Sequence, residues 1–193
     1  MVNMMVRKLA CLAIGMGILG IGTTGRAQEG PPIPKPTAEH QRLAKEAGTW
    51  DATIKSWMQG PGAEPMISKG VQVARLMPGG LWLLSSFEGK FGDQDFHGAG
   101  LMGYDPKKGK YVGTWVDSMA TEILLMEGGY DDKTHTLTMH AKGTEPSGKA
   151  YEAKMSTRYE GEDSMVFTME MKSEETRGEY HKVMEITYKR KAK

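Results

Sequence analysis

Cysteine is almost missing from this 193-residue chain, and its single copy, Cys11, lies at the start of an apolar stretch near the N-terminus. Beyond that stretch neither a disulfide nor a thiolate metal site can form within the chain. Long hydrophobic runs are missing too. The longest, Leu9 to Ile21, holds about 13 residues, short of the ~20 a membrane-spanning helix needs. Nor is there an excess of charge: 25 Lys and Arg stand against 24 Asp and Glu, with no block of one sign. Nucleic acid is therefore not an expected partner. Whatever fold forms must stand on its hydrophobic core.

The N-terminal stretch has the parts of a cleavable export leader. Arg7 and Lys8 close a short segment without acidic residues, the apolar run follows, and Gly25-Arg26-Ala27 places small residues three before and one before a cut. A lipid-carrying cysteine would follow the apolar run, whereas Cys11 begins it, which argues against lipidation. Residues 1–27 are thus expected to be removed, leaving a periplasmic or extracellular protein with no membrane span. Arg7, Lys8 and Arg26 leave with the leader, so the remaining chain is slightly acidic. Residues 28–36 carry four prolines and read as an extended tether. Residues 37–193 read as one domain.

Thr37 is placed to cap a helix over Ala38 to Ala47, where His40, Leu43, Ala44 and Ala47 share one face and Gly48 stops it. From Trp50 the period is two. Trp50, Ala52 and Ile54 alternate with Asp51, Thr53 and Lys55. Further strands are expected at 66–76, 81–88, 94–104, 110–118, 121–129, 135–143, 150–160, 164–172 and 179–190, separated by turns such as Pro78-Gly79-Gly80 and Gly161-Glu162-Asp163. About ten strands without helical crossovers must pair antiparallel. Closure into an up-and-down barrel is the most complete way to remove their edges. The fold class is therefore all-β, with one short helix. Phase assigns Met165, Phe167, Met169 and Met171 inward, with Tyr151, Ala153, Met155 and Tyr159, and with Met184, Ile186 and Tyr188. Gly98, Gly100 and Gly103 lie within or at the end of one strand, where glycine marks a bend, as barrel curvature requires, or a close approach of another backbone.

Gly48-Thr49-Trp50, after a short helix and at the start of the first strand, resembles the G-x-W signature of the calycin barrels (lipocalins, fatty-acid-binding proteins and relatives). That resemblance implies that Trp50 plugs one barrel end and that Arg190, from the last strand, packs across its ring. Longer stretches also resemble a bacterial family, domain of unknown function 1579. They are Ala47 to Trp50, Pro78 to Leu83, Phe96 to Gly100, Gly103-Tyr104-Asp105 and Tyr111 to Met119. The resemblance implies one exported β domain and no particular activity.

No catalytic motif, cofactor site or metal-ligand cluster is apparent. Asp117, two residues after Trp115, could be a perturbed acid, although it equally suits a strand end with Ser118 starting the turn. An enzyme reading would need Asp117 or Glu127 beside His140 or Tyr151. The histidines downstream of the leader are His40, His97, His135, His140 and His181. None forms an i, i+4 helical pair. A haem-binding calycin relative with an axial histidine in its last strands would point to His181, but phase with Val183 and Glu185 puts that residue outside. Of 16 methionines, Met1, Met4, Met5 and Met16 lie in the leader. The others could bind a soft ion such as Cu(I), yet methionine more often fills irregular apolar space. The reading that fits best is a barrel taking a small apolar or amphipathic ligand, lined by Trp115, Tyr151, Met155, Phe167 and Met169, with Asp117 as polar anchor. The alternatives are an acid/base enzyme centred on Asp117 and a barrel filled entirely by its own side chains.

Overall fold

A computed structural model describes residues 32–57, 60, 63–144, 148–174 and 176–192. The expected leader, residues 1–27, lies outside the described residues, as does the first part of the tether. Pro34–Lys193 forms a compact unit of its own. Within it α1 (Ala38–Ala44) precedes ten strands: β1 (Gly48–Ser56), β2 (Met66–Leu76), β3 (Trp82–Phe91), β4 (Gln94–Asp105), β5 (Lys110–Asp117), β6 (Leu124–Asp131), β7 (Thr136–Thr144), β8 (Ala150–Tyr159), β9 (Ser164–Ser173) and β10 (His181–Arg190). Each strand pairs antiparallel with its neighbours in sequence, and β1 pairs with β10, closing the barrel. Every strand finds its partners between residues 48 and 190, so the barrel is complete in itself. None of the helices among the described residues is long and apolar enough to cross a membrane.

Alternation sets the walls. Along β1, Trp50, Ala52, Ile54 and Ser56 are buried, while Asp51, Thr53 and Lys55 are exposed. Their partners across the closing seam, Arg190, Tyr188, Ile186 and Met184, share the same face. Outside, ion pairs run across neighbouring strands, as in Lys142–Glu152–Lys172 and Lys154–Glu170. Such exposed pairs contribute little individually. The apolar inside carries the stability. Two buried clusters fill it, one around Leu43, Leu83, Tyr111, Leu137, Met139 and Met155, the other around Trp50, Ile54, Phe87, Met165, Ile186 and Tyr188.

The helix is shorter than its sequence suggests, ending at Ala44 rather than Ala47. Its start is capped as expected, with the Thr37 N–H donating to His40 Nδ1 at 3.1 Å. Beyond Ala44 the chain tightens, the Lys45, Glu46 and Ala47 N–H groups reaching back only three residues to the Arg42, Leu43 and Ala44 carbonyls. The Arg190 guanidinium takes the Lys45 and Ala47 carbonyls at 2.7 and 2.8 Å. Leu43 and His40 are buried, and α1 lies against β3 and β4 at the end where the chain enters β1.

Candidate functional site

The two barrel ends differ in kind. At the end covered by α1, Trp50 is 2 % exposed, and Arg190 lies over its ring at 4.1 Å from the centroid. Gly48 is required here. Its φ of +142° is one that other residues rarely adopt, and a Cβ would lie 2.5 Å from the guanidinium. The Trp50 indole N–H donates to the Glu46 carbonyl at 2.9 Å. The Glu46 carboxylate turns toward the barrel and accepts from the Tyr159 hydroxyl. Burial pushes the Glu46 carboxyl above the usual range, against the lowering effect of that hydrogen bond. Burial likewise raises the Tyr159 and Tyr188 phenols, with the nearby Glu46 charge acting in the same direction. Arg42 donates to Tyr111 at 3.0 Å and lies over the Tyr130 ring. A solvent-open groove of about 910 Å³ crosses this end. It is a braced closure.

The opposite end is a mouth. Met169, Met171, Met184, Phe96, Trp115, Leu124, Met126 and Tyr151 belong to the inner clusters yet remain partly exposed. Toward the plug, Trp50, Tyr111, Leu137, Met165 and Tyr188 are sealed at a few per cent exposure, while Tyr104, Tyr130 and Tyr159 stay partly exposed. Trp115 owes its position to Gly98, since a Cβ there would meet the indole at 2.2 Å. The Tyr151 ring lies over Gly143 in the same way, across the mouth on β8. A second groove of about 540 Å³ opens at the rim, lined by Tyr151, Lys172, Ser173 and Arg177 among others.

Of the residues expected to line a ligand site, Trp115, Tyr151 and Met169 are gathered at the mouth. Phe167 lies deeper, touching both clusters, and Met155, at 7 % exposure, forms part of the floor. Asp117 is committed. Its Oδ2 accepts the Trp115 indole N–H at 2.9 Å and its Oδ1 accepts the Met119 N–H at 2.8 Å, so it orients the indole and holds the turn. Glu127 and His140 do face each other, but on the exposed outer wall, where Glu127 pairs with Lys110.

One expectation is overturned. His181 does not follow Val183 and Glu185 to the outside. Lys182 pairs with Glu170 and Met184 with Met169, which leaves Val183 as an extra residue in a bulge. The bulge resets the phase, so His181 sits opposite inward Met171. Its Nδ1 is buried without a hydrogen-bond partner. Sequence reading also passed over Phe96 as a lining residue. Its alternation with Asp95 and His97 was available as a signal, whereas nothing in the sequence announces the bulge. Among the described residues no three His, Cys, Asp or Glu side chains converge as metal ligands.

The closed, plugged barrel is similar to the S-type phycobiliprotein lyase CPES from Guillardia theta, at 11 % identity and a TM-score of 0.51, over 82 % of this chain and 99 % of that one. It is also similar to EF1p2_mFAP2b bound to DFHBI, at 13 % identity and a TM-score of 0.43, over 80 % of this chain and 100 % of that one. The first likeness concerns the fold alone. No curated protein matches the chain. The profile of the family described as "Protein of unknown function (DUF1579)" matches residues 35–190, nearly the whole barrel unit, and the chain belongs to that family.

Proposed function

We propose that this DUF1579 barrel is an exported binding protein whose mouth takes a small apolar or amphipathic molecule. The observation that carries the reading is the asymmetry of the inner wall. The plug end is closed by Trp50, Arg190 and the buried Tyr111, Leu137, Met165 and Tyr188, whereas the opposite half keeps thioethers and aromatic rings partly uncovered. Concave apolar surface with few polar groups is what ligand sites in such folds offer. Methionines there adapt to the shape of a guest. The leader pattern in residues 1–27 supports the exported location.

The expected affinity is moderate. A guest of about 25 heavy atoms, at ~0.3 kcal/mol per atom, gains about 7.5 kcal/mol, a dissociation constant in the low micromolar range. The test is tryptophan emission during titration with a panel of lipids and aromatic compounds. Trp115 stands at the mouth, Trp50 is sealed in the plug and Trp82 is exposed on the outer wall. In a Trp57→Phe background, which removes the other tryptophan at the mouth end, a binding signal should survive Trp82→Phe and vanish in Trp115→Phe. A saturable signal that persists in Trp115→Phe, or none with any compound, overturns the reading.

A further inference from the structure

The bulge at Val183 places one imidazole and three thioethers on a single patch of the inner wall. His181 faces Met171, and Met184 faces Met169, on adjacent strands β10 and β9. Side chains directly opposite each other in antiparallel strands have Cβ atoms about 4.5–5.5 Å apart. The two pairs are neighbours along those strands, so four potential donors lie within reach of one point. The long, flexible methionine side chain can close what distance remains. The His181 Nδ1 atom is buried and unpartnered, an unusual condition for a polar atom inside a protein. A bound cation would end it.

We propose that His181, Met171, Met169 and Met184 form a site for a soft monovalent metal ion, Cu(I) or its analogue Ag(I). Thioether sulfur selects soft ions, and imidazole is compatible with them, whereas Ca(II), Mg(II) and Mn(II) prefer oxygen. On the strands themselves the patch carries no carboxylate: Glu170 and Glu185 lie in the opposite phase and are paired with Lys154 and Lys182, and Glu179, two residues before His181, precedes β10 and is exposed. Nor does the barrel hold a thiolate that would take such an ion first, since Cys11 precedes it. The ion enters as Cu(I) or Ag(I) and leaves unchanged, so no redox step is involved. The inference is independent of an apolar guest, although the two sites share the Met169 side of the mouth.

The experiment uses the chain from Gln28 onward, which keeps the whole compact unit and lacks Cys11. Silver(I) nitrate is titrated into protein labelled with ¹³C at the methionine methyl groups, and stoichiometry is read by native mass spectrometry. The expected result is one Ag(I) per chain, with the Met169, Met171 and Met184 methyl signals moving together and Met139 and Met119 still. His181→Ala and Met171→Leu should each weaken binding at least tenfold, while Met139→Leu binds as the parent does. Absence of a one-to-one complex, or shifts confined to methionines outside the patch, overturns the proposal. So does His181→Ala binding as tightly as the parent. The methyl shifts in the unmodified barrel keep the test decisive even if a variant fails to fold.

Discussion

Removing the Arg190 side chain should unfasten the plug, and the structure sets the scale of the loss. The guanidinium lies 4.1 Å from the Trp50 ring centre and donates to the Lys45, Ala47 and Glu162 carbonyls. Stacking of a partly desolvated cation on an indole contributes ~1 kcal/mol. The two hydrogen bonds to the turn after α1, made by a charged and partly exposed donor, contribute ~1 kcal/mol each, and those to the exposed Glu162 carbonyl, which water replaces readily, add little. The ion pair with Asp163 adds almost nothing, because that carboxylate is largely exposed. Arg190→Ala should therefore cost about 3 kcal/mol. For a chain of this size that lowers the melting temperature by roughly 6–12 °C. Arg190→Lys keeps a cation near the ring but cannot span both carbonyls, so it should lose about half as much, ~1.5 kcal/mol. Urea unfolding followed by tryptophan emission reads both. A loss under 1 kcal/mol for the alanine variant, or a lysine variant as stable as the parent, would refute the idea that this contact fastens the end.

Gly98→Ala should push the Trp115 indole off its seat, since the new methyl would lie 2.2 Å from the ring. A cost of about 1–3 kcal/mol in thermal unfolding is expected, together with loss of the Trp115 ligand signal; unchanged stability would contradict the packing. Glu46 binds its proton more tightly in the folded protein than unfolded, so its contribution to stability falls as pH rises from the ordinary carboxylate range through its raised folded value. Glu46→Gln can still accept from Tyr159, and it should gain stability over the parent at neutral pH while matching it in acid. Parallel stability curves would refute this. His135 holds a positive φ of 51° in the turn between β6 and β7, so His135→Gly should raise stability by ~1 kcal/mol in the same assay. Export predicts that protein recovered outside the cytoplasm of its host begins at Gln28, as N-terminal sequencing would show; an intact Met1 there would contradict the leader.

Most of the barrel was legible because the physics behind it is local. The limits of β2 fall where alternation and turn residues put them, and the phase of β9 follows from Met165, Phe167, Met169 and Met171 against Val166, Thr168, Glu170 and Lys172. The Trp50–Arg190 contact was legible through its resemblance to a known plug. Two features depended on distant partners. The last turn after Ala44 tightens to three-residue hydrogen bonds, and its Lys45 and Ala47 carbonyls are held by Arg190, far along the chain. The inward turn of His181 depends on an extra Val183, and valine suits a strand on either face, so the sequence carries no mark of the bulge. The glycines of β4 were expected to mark a bend or a close approach. At Gly98 what approaches is a side chain, the Trp115 indole, rather than the backbone that the expectation named.

Occupancy of the mouth by a guest is the decisive property of this barrel. The most direct measurement is native mass spectrometry of the protein isolated gently from its own host. One equivalent of a low-mass apolar or amphipathic compound, lost on mild activation, is the predicted result. A spectrum showing only the bare chain, with no adduct after incubation with a host lipid extract, would contradict it.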